Sequence, residues 1–429
     1  MNLPAEIYDC IAFHVENEGN SGAKPWKHDY RHYTILDSEA QQRLRDLRLV
    51  SKAFCRSASA RLFRHIITNL FCDRNTANLL ALREISESPC NIYVRQIGFE
   101  FDGYSVHEHV PKTSNVEDVA GILSSCLARF PALKCLEFLD APNLQPELKS
   151  AYFDTVAAAL RYVPLPSLTE LEFTLPITHD FGRFFPSEKN SLRIPIEKVL
   201  RRLQHLGLYV SEFTNREEAQ QLLFMRVLPE NATYPNQAHA SHLFRMVELA
   251  ANLKSLAIRS TDTLDLDDIK FPFSLCLRSL DLSRVSISAH TLLSLADQCS
   301  KTIRYIDLLM VQLNAGTWEH VLSQMCNLPH LVYFTIDCSG YSTTGSSAHL
   351  KGPENATNIE TSMLDLVAMR DLLRKVNANR IVAGLEPFPE TTDNERMAER
   401  VLRYLDLEGN SSSDGSDGDE YGATDWDLD

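Results

Sequence analysis

A short hexad, apolar-x-x-apolar-x-apolar, recurs along the middle of this chain and restricts its fold more than any other feature. Clear copies are Leu133-Lys-Cys-Leu-Glu-Phe138, Leu168-Thr-Glu-Leu-Glu-Phe173 and Leu203-Gln-His-Leu-Gly-Leu208. Further copies are Leu253-Lys-Ser-Leu-Ala-Ile258, Leu277-Arg-Ser-Leu-Asp-Leu282, Ile303-Arg-Tyr-Ile-Asp-Leu308 and Leu331-Val-Tyr-Phe-Thr-Ile336. A weaker copy, Val94-Arg-Gln-Ile-Gly-Phe99, opens the series. The fourth and sixth positions fall on one face of a strand, because strand side chains alternate with period 2. The leading apolar residue covers the edge of that core as the chain turns in. Between hexads the period becomes helical. Phe153, Val156, Ala157 and Leu160 recur at i, i+3, i+4 and i+7, and Leu292, Leu293, Leu295 and Ala296 do so more loosely. A strand-plus-helix unit has one apolar side that it cannot bury alone, so the units must stack, with their strands in a parallel sheet.

The hexads start at Val94, Leu133, Leu168, Leu203, Leu253, Leu277, Ile303 and Leu331. The last three intervals match the roughly 20–29 residues of leucine-rich repeats, and the earlier ones are longer. The set resembles that family. The Asn that follows the strand in the family is missing. Leu139-Asp-Ala-Pro follows Phe138, and Ser283-Arg-Val follows Leu282. The repeats are therefore irregular, and the longest interval, from Leu203 to Leu253, is expected to hold an inserted helix. The alternative is a non-repeat α/β domain in which the hexads arise by chance.

The totals limit the partners. The net charge of −15 argues against nonspecific affinity for nucleic acid or anionic membranes. From Asp406 onward there are nine acids and no base, so the rest of the chain carries about −6. The ten cysteines are scattered without a CxxC pair, and most sit in apolar runs, where a reduced thiol behaves as a small hydrophobe. No signal-peptide pattern and no apolar run of about 20 residues is present, so a cytoplasmic or nuclear protein is expected and three formal glycosylation sequons are chance matches.

At the N-terminus, Leu3-Pro-Ala-Glu-Ile7 places a proline in the first turn of a helix. Ile7, Cys10, Ile11 and His14 follow as one apolar stripe. Leu47-Arg-Leu-Val-Ser-Lys-Ala-Phe54 comes next, with Ser51 as a helix cap, and Phe54, Ala58 and Leu62 share a face. The chain continues into Leu62-Phe-Arg-His-Ile66. In this order LPAEI, LRLVSKAF and ARLFRHI resemble the F-box, in the form it takes in fungal F-box proteins. The resemblance runs from the start of the chain to about Ile67 and includes a polar insertion, about 16–43, that reads as a loop. It implies binding to the Skp adaptor, and through it to the cullin and RING subunits of an SCF ubiquitin ligase that marks proteins for degradation. It implies an adaptor surface of Leu3, Pro4, Ile7, Leu49, Val50, Lys52 and Phe54. The same helices also suit a second role, capping the open end of a repeat array.

The expected architecture is thus α/β: an F-box-like three-helix segment over 1–70, then a leucine-rich-repeat-like solenoid of parallel strands over 71–340. A flexible excursion and helical cap follow over 341–405, including Met363–Leu373 and Arg396–Leu405, and a solvating acidic tail, disordered for lack of apolar content, runs over 406–429. Residues between the repeat leucines are expected on an inner, solvated face: Glu137, Glu170, Glu172, His205, Tyr209, Arg259, Asp281, Tyr305, Asp307, Tyr333 and Asp337. Tyr209, Arg259, Tyr305 and Tyr333 are the expected target contacts, since Tyr and Arg concentrate binding energy. Trp318 is expected in the core. No phosphate loop, nucleophile elbow or HExxH pattern occurs, and His107-Glu-His109 has no evident third ligand. Neither catalytic residue, metal nor cofactor is expected. The function expected is target recognition for a ligase, with a repeat scaffold outside any ligase as the alternative and an enzyme with an unrecognised site as a third reading.

Overall fold

The computed structural model describes residues 4–17, 38–69, 75–100, 121–139, 146–185, 194–215, 234–342 and 362–388. Each hexad begins a strand at its third residue. These strands are β2 (Gln96–Glu100), β3 (Cys135–Phe138), β4 (Glu170–Leu175), β5 (His205–Val210), β6 (Ser255–Asp265), β7 (Ser279–Ile287), β8 (Tyr305–Leu309) and β10 (Tyr333–Asp337). An earlier strand, β1 (His65–Asn69), lies inside the segment expected to be only a helical box. Phe63, Ile66 and Thr68 take the hexad positions there, so the box sequence ends as the first repeat unit. The array therefore starts near Phe63, not at residue 71.

The sheet runs in sequence order from β1 to β8 and then β10, every adjacent pair parallel. It is open, with helices between strands, as a solenoid-like stack requires. Two short strands, β9 (Gln312–Leu313) and β11 (Gly340–Tyr341), extend from the end of β7 as a second small ladder. The first, fourth and sixth hexad residues form one continuous core, joined by the helix residues Phe153, Val156, Leu160, Leu292 and Leu295. Each fully buried side chain of this size contributes about 1.5–3 kcal/mol. In the first repeats the sixth position is aromatic, and Phe99, Phe138 and Phe173 stack at centroid distances of 5.1 and 5.9 Å.

The second hexad residue holds the units in register through its backbone. The Arg95 carbonyl accepts from Lys134 N at 2.7 Å and Cys135 N at 3.0 Å, and the same fork repeats from Arg64 to Tyr333. After the later strands the chain turns through left-handed residues. Arg284, Met310 and Cys338, at equivalent places in three successive repeats, have φ of 55°, 53° and 49°. This left-handed conformation costs a non-glycine residue roughly 1–2 kcal/mol. Hydrogen bonds such as Met310 N to Asp337 O (2.8 Å) offset it as the chain turns toward the second ladder.

The longest unit contains a helix, Asn236–Leu249, in the usual place of a repeat helix, and its residues 216–233 lie outside the described set. At the N-terminus the helices are α1 (Ala5–Asn17), α2 (Ser38–Val50) and α3 (Lys52–Leu62). The expected loop at 16–43 is corrected at both ends. α1 reaches Asn17, and α2 begins at Ser38 because Ala40, Leu44 and Leu47 make an inward stripe. At the other end the helix Met363–Val382 closes the array, through Leu366, Met369, Leu372 and Val376. Among the described residues no helix is long and apolar enough to cross a membrane. Leu3, His107, His109, the expected helix Arg396–Leu405 and the tail lie outside the described residues.

Candidate functional site

Two surfaces carry the residues singled out in the sequence. The first is the N-terminal bundle. Its core is small, Ala12, Leu44 and Ala58, with Val15, Leu47 and Leu62 beside them. The α1 stripe of Ile7, Cys10 and Ile11 is not part of that core. It faces outward, because Ala12 is the α1 residue that fits between the other helices. Phe54 meets Tyr8 edge-on at 4.7 Å, which sets the first turns of α1 beside the α2–α3 junction. Ser51 caps α3 as expected, accepting from Phe54 N at 3.2 Å. Pro4, Ile7, Leu49, Val50 and Lys52 are thereby gathered at one end of the bundle, all exposed, with Leu49 at 86% and Val50 at 66%. Phe54 is half-buried and serves the bundle as well as its surface. The half-buried Arg61–Glu16 ion pair and the Arg48 guanidinium over Phe63 (5.1 Å) lock the bundle and join it to the first repeat.

The second surface is the sheet face turned away from the core. In register, its middle row reads Gly98, Glu137, Glu172, Gly207, Ala257, Asp281, Asp307 and Thr335 across β2 to β10. All the expected inner-face residues sit on this side, but the expectation that they are solvated fails at its centre. Glu172, His205, Tyr209 and Asp281 are buried, at 1%, 3%, 6% and 3% exposure. The reason is lateral. Strands stand about 4.8 Å apart, so large side chains lean on the small ones of the next strand. The Tyr209 ring lies over Gly207, and Arg259 lies over that ring at 5.6 Å while binding Asp281 at 2.5 Å. Tyr209 is thus an internal wedge, not a target contact, and Arg259 is held by its neighbours. Tyr305 and Tyr333, opposite each other in register, remain half-exposed at the C-terminal end of the sheet.

This packing makes a prediction at Gly207. A Cβ there would lie 2.9 Å from Glu172 Cγ and 2.9 Å from Tyr209 Cε2. Gly207→Ala is expected to cost about 1–3 kcal/mol, the usual cost of overpacking. A urea unfolding midpoint equal to wild type would show that the face yields more easily than this.

His205 connects two strands, with Nε2 2.7 Å from Glu172 Oε1 and Nδ1 3.1 Å from Ser255 Oγ. The acid, imidazole and hydroxyl are aligned, but the imidazole is buried and both nitrogens are engaged, so no reacting group reaches it. The trio tethers β4, β5 and β6. Burial pushes the Asp281 carboxyl up to about 6 even with Arg259 beside it. Burial also works against the Arg259 charge, but its bond to Asp281 outweighs this and keeps the guanidinium above its ordinary value. On the helix side, the rings of His179, His239 and His242 lie 4.9–6.4 Å apart. Burial, then His179 and His239, lower the His242 pKa. Among the described residues no group of three His, Cys, Asp or Glu is arranged to hold a metal ion.

The fold and these surfaces define an α/β protein with an open parallel sheet, an exposed apolar helical end and a sheet face whose middle row alternates acids with small residues. No protein-family model matches the chain, and no curated protein matches it.

Proposed function

We propose that this chain is a target-recognition subunit of an SCF-type ubiquitin ligase: an F-box segment that binds the Skp adaptor, joined to irregular leucine-rich repeats that bind the protein to be marked. One observation carries the reading. The N-terminal bundle buries Ala12, Leu44 and Ala58 and leaves Ile7, Leu49 and Val50 outside, among the residues that the F-box resemblance assigns to the adaptor surface. Exposed apolar residues concentrated on one patch are usually covered by a partner. Under this reading the chain performs no chemistry. It holds a target while the partner subunits transfer ubiquitin. The half-exposed Tyr305 and Tyr333 are the target contacts that suit it best.

The test is binding of the purified full chain to the Skp adaptor, measured by co-elution and titration. The variant of choice is Leu49→Asp with Val50→Asp, because both side chains are outside the bundle core, whereas charge at Phe54 would disturb Tyr8. Burying an unpaired carboxylate costs several kcal/mol, so affinity should fall by about 100-fold or more. Failure of well-folded wild type to bind would leave the bundle as a cap of the array and make a ligase-free scaffold the better reading.

A further inference from the structure

The second residue of each hexad, which forms the backbone fork between units, also builds a line of side chains along one rim of the sheet. In order this line is Arg64, Arg95, Lys134, Thr169, Gln204, Lys254, Arg278, Arg304 and Val332. Six of these nine are cations, and all six are exposed. None of the six forms an ion pair with another described residue; Arg95 reaches only the Ala132 carbonyl (3.2 Å) and Lys254 only Gln204 Oε1 (3.0 Å). At about 4.8 Å per strand the cations fall into two blocks of three, each with neighbours closer than the roughly 8 Å screening length of physiological salt. Such a row repels itself until an anion covers it. Within a chain of net charge −15 this is a marked segregation.

The C-terminal end of the described chain lies beside this rim. Arg380 donates to the Val332 carbonyl at 3.1 Å, from the last position of the line, and stacks on Phe388 at 3.8 Å. Phe388 in turn contacts the Tyr333 ring at 5.8 Å, and its N–H donates to Asn377 at 3.0 Å. From Phe388 a link, 389–405, leads to the segment 406–429, which carries nine acids and no base. Seven coil residues followed by the expected helix Arg396–Leu405 span roughly 21 Å, while Arg304, Arg278 and Lys254 stand only about 5–14 Å along the rim from Val332.

We propose that the acidic segment 406–429 docks on this basic rim, first on Arg304, Arg278 and Lys254, as an internal ligand that shields the row. Its short tether gives it a high effective concentration over any acidic segment arriving from another molecule. The docked segment borders Tyr305 and Tyr333, each the residue after a rim position.

The experiment uses the full chain and a zero-length carbodiimide cross-linker, read by peptide mass spectrometry. Lys254 is the reporter, because arginine does not react. Links between Lys254 and carboxylates of 406–429 are expected at low salt, about tenfold fewer in 1 M salt, where the screening length is about 3 Å. A similar drop is expected in Arg278→Glu with Arg304→Glu, both exposed and outside the core. A second variant leaves the rim untouched and neutralises the tail at Asp414, Asp417, Asp419 and Glu420; there an activated ester should acetylate Lys254 faster than in wild type. Absence of tail links, links that persist in the charge-reversed rim, links that rise with protein concentration, or unchanged acetylation would each overturn the proposal.

Discussion

Trp318→Ala is expected to be the most destabilising single substitution in the C-terminal half of the array. The indole is fully buried, and its Nε1 donates to the Gly340 carbonyl at 2.7 Å. Removing a buried tryptophan costs about 3–5 kcal/mol in transfer and cavity terms. The orphaned Gly340 carbonyl adds about 1–3 kcal/mol. The damage spreads along a defined chain of bonds. Trp318 N donates to the Tyr341 hydroxyl (3.0 Å), which donates to Asp365 (2.7 Å), and Asp365 also accepts from Glu319 N (2.7 Å). Asp365 belongs to the closing helix, so a residue of one helix caps the first turn of another. Burial, reinforced by the Asp365 carboxylate, holds the Tyr341 phenol well above its ordinary pKa and keeps it a donor. Hydrogen exchange should therefore show protection lost over Trp318–Met325 and Met363–Val382 together, and urea unfolding should shift by several kcal/mol. Trp318→Phe keeps most of the volume and should lose only the hydrogen-bond part. A shift under about 1 kcal/mol for the alanine variant would mean the site collapses around the cavity.

Asp262→Ala should have the second large effect, for a polar reason. Asp262 is 4% exposed, and one of its oxygens accepts from Thr214 N (2.8 Å), Thr214 Oγ1 (2.5 Å) and Asn236 Nδ2 (2.7 Å). Asn236 passes the connection on, accepting from Thr178 N (2.9 Å) through Oδ1 and from Thr178 Oγ1 (2.6 Å) through its carbonyl. One carboxylate thus ties the ends of β4 and β5 to β6 and to the start of the helix Asn236–Leu249. Without it at least three buried donors lose their acceptor, and the expected cost is about 3–5 kcal/mol. Asp262→Asn keeps an acceptor but points an amide toward donors, so its cost should be smaller than that of alanine. Equal midpoints for alanine variant and wild type would show that the network contributes nothing net.

If the proposed reading holds, the two ends of the chain have separate tasks. The bundle presents apolar surface to an adaptor, and the acidic end covers cations on the sheet rim. Neither task needs the buried centre of the sheet face. Glu172, His205, Tyr209 and Asp281 serve to hold adjacent strands at the right distance.

What the residues alone determined follows from short periods. The eight hexads marked where eight parallel strands begin, because an apolar pair two apart can face a core only from a strand. Phe153 to Leu160, Leu292 to Ala296 and Trp318 were readable as core for the same local reason. So was the Ser51 cap, whose pattern spans a single helical turn. Three things were decided only by the tertiary structure. The α1 stripe faces outward because Ala12, not Ile11, fits between α2 and α3. Tyr209 is buried because its ring meets Gly207 on its own strand and Arg259 on the next, a partner distant in sequence but opposite in register. The basic rim exists only once the units stack. Its members come from separate repeats, far apart along the chain, yet they neighbour one another across the strands, and nothing local sets that register except the backbone fork itself.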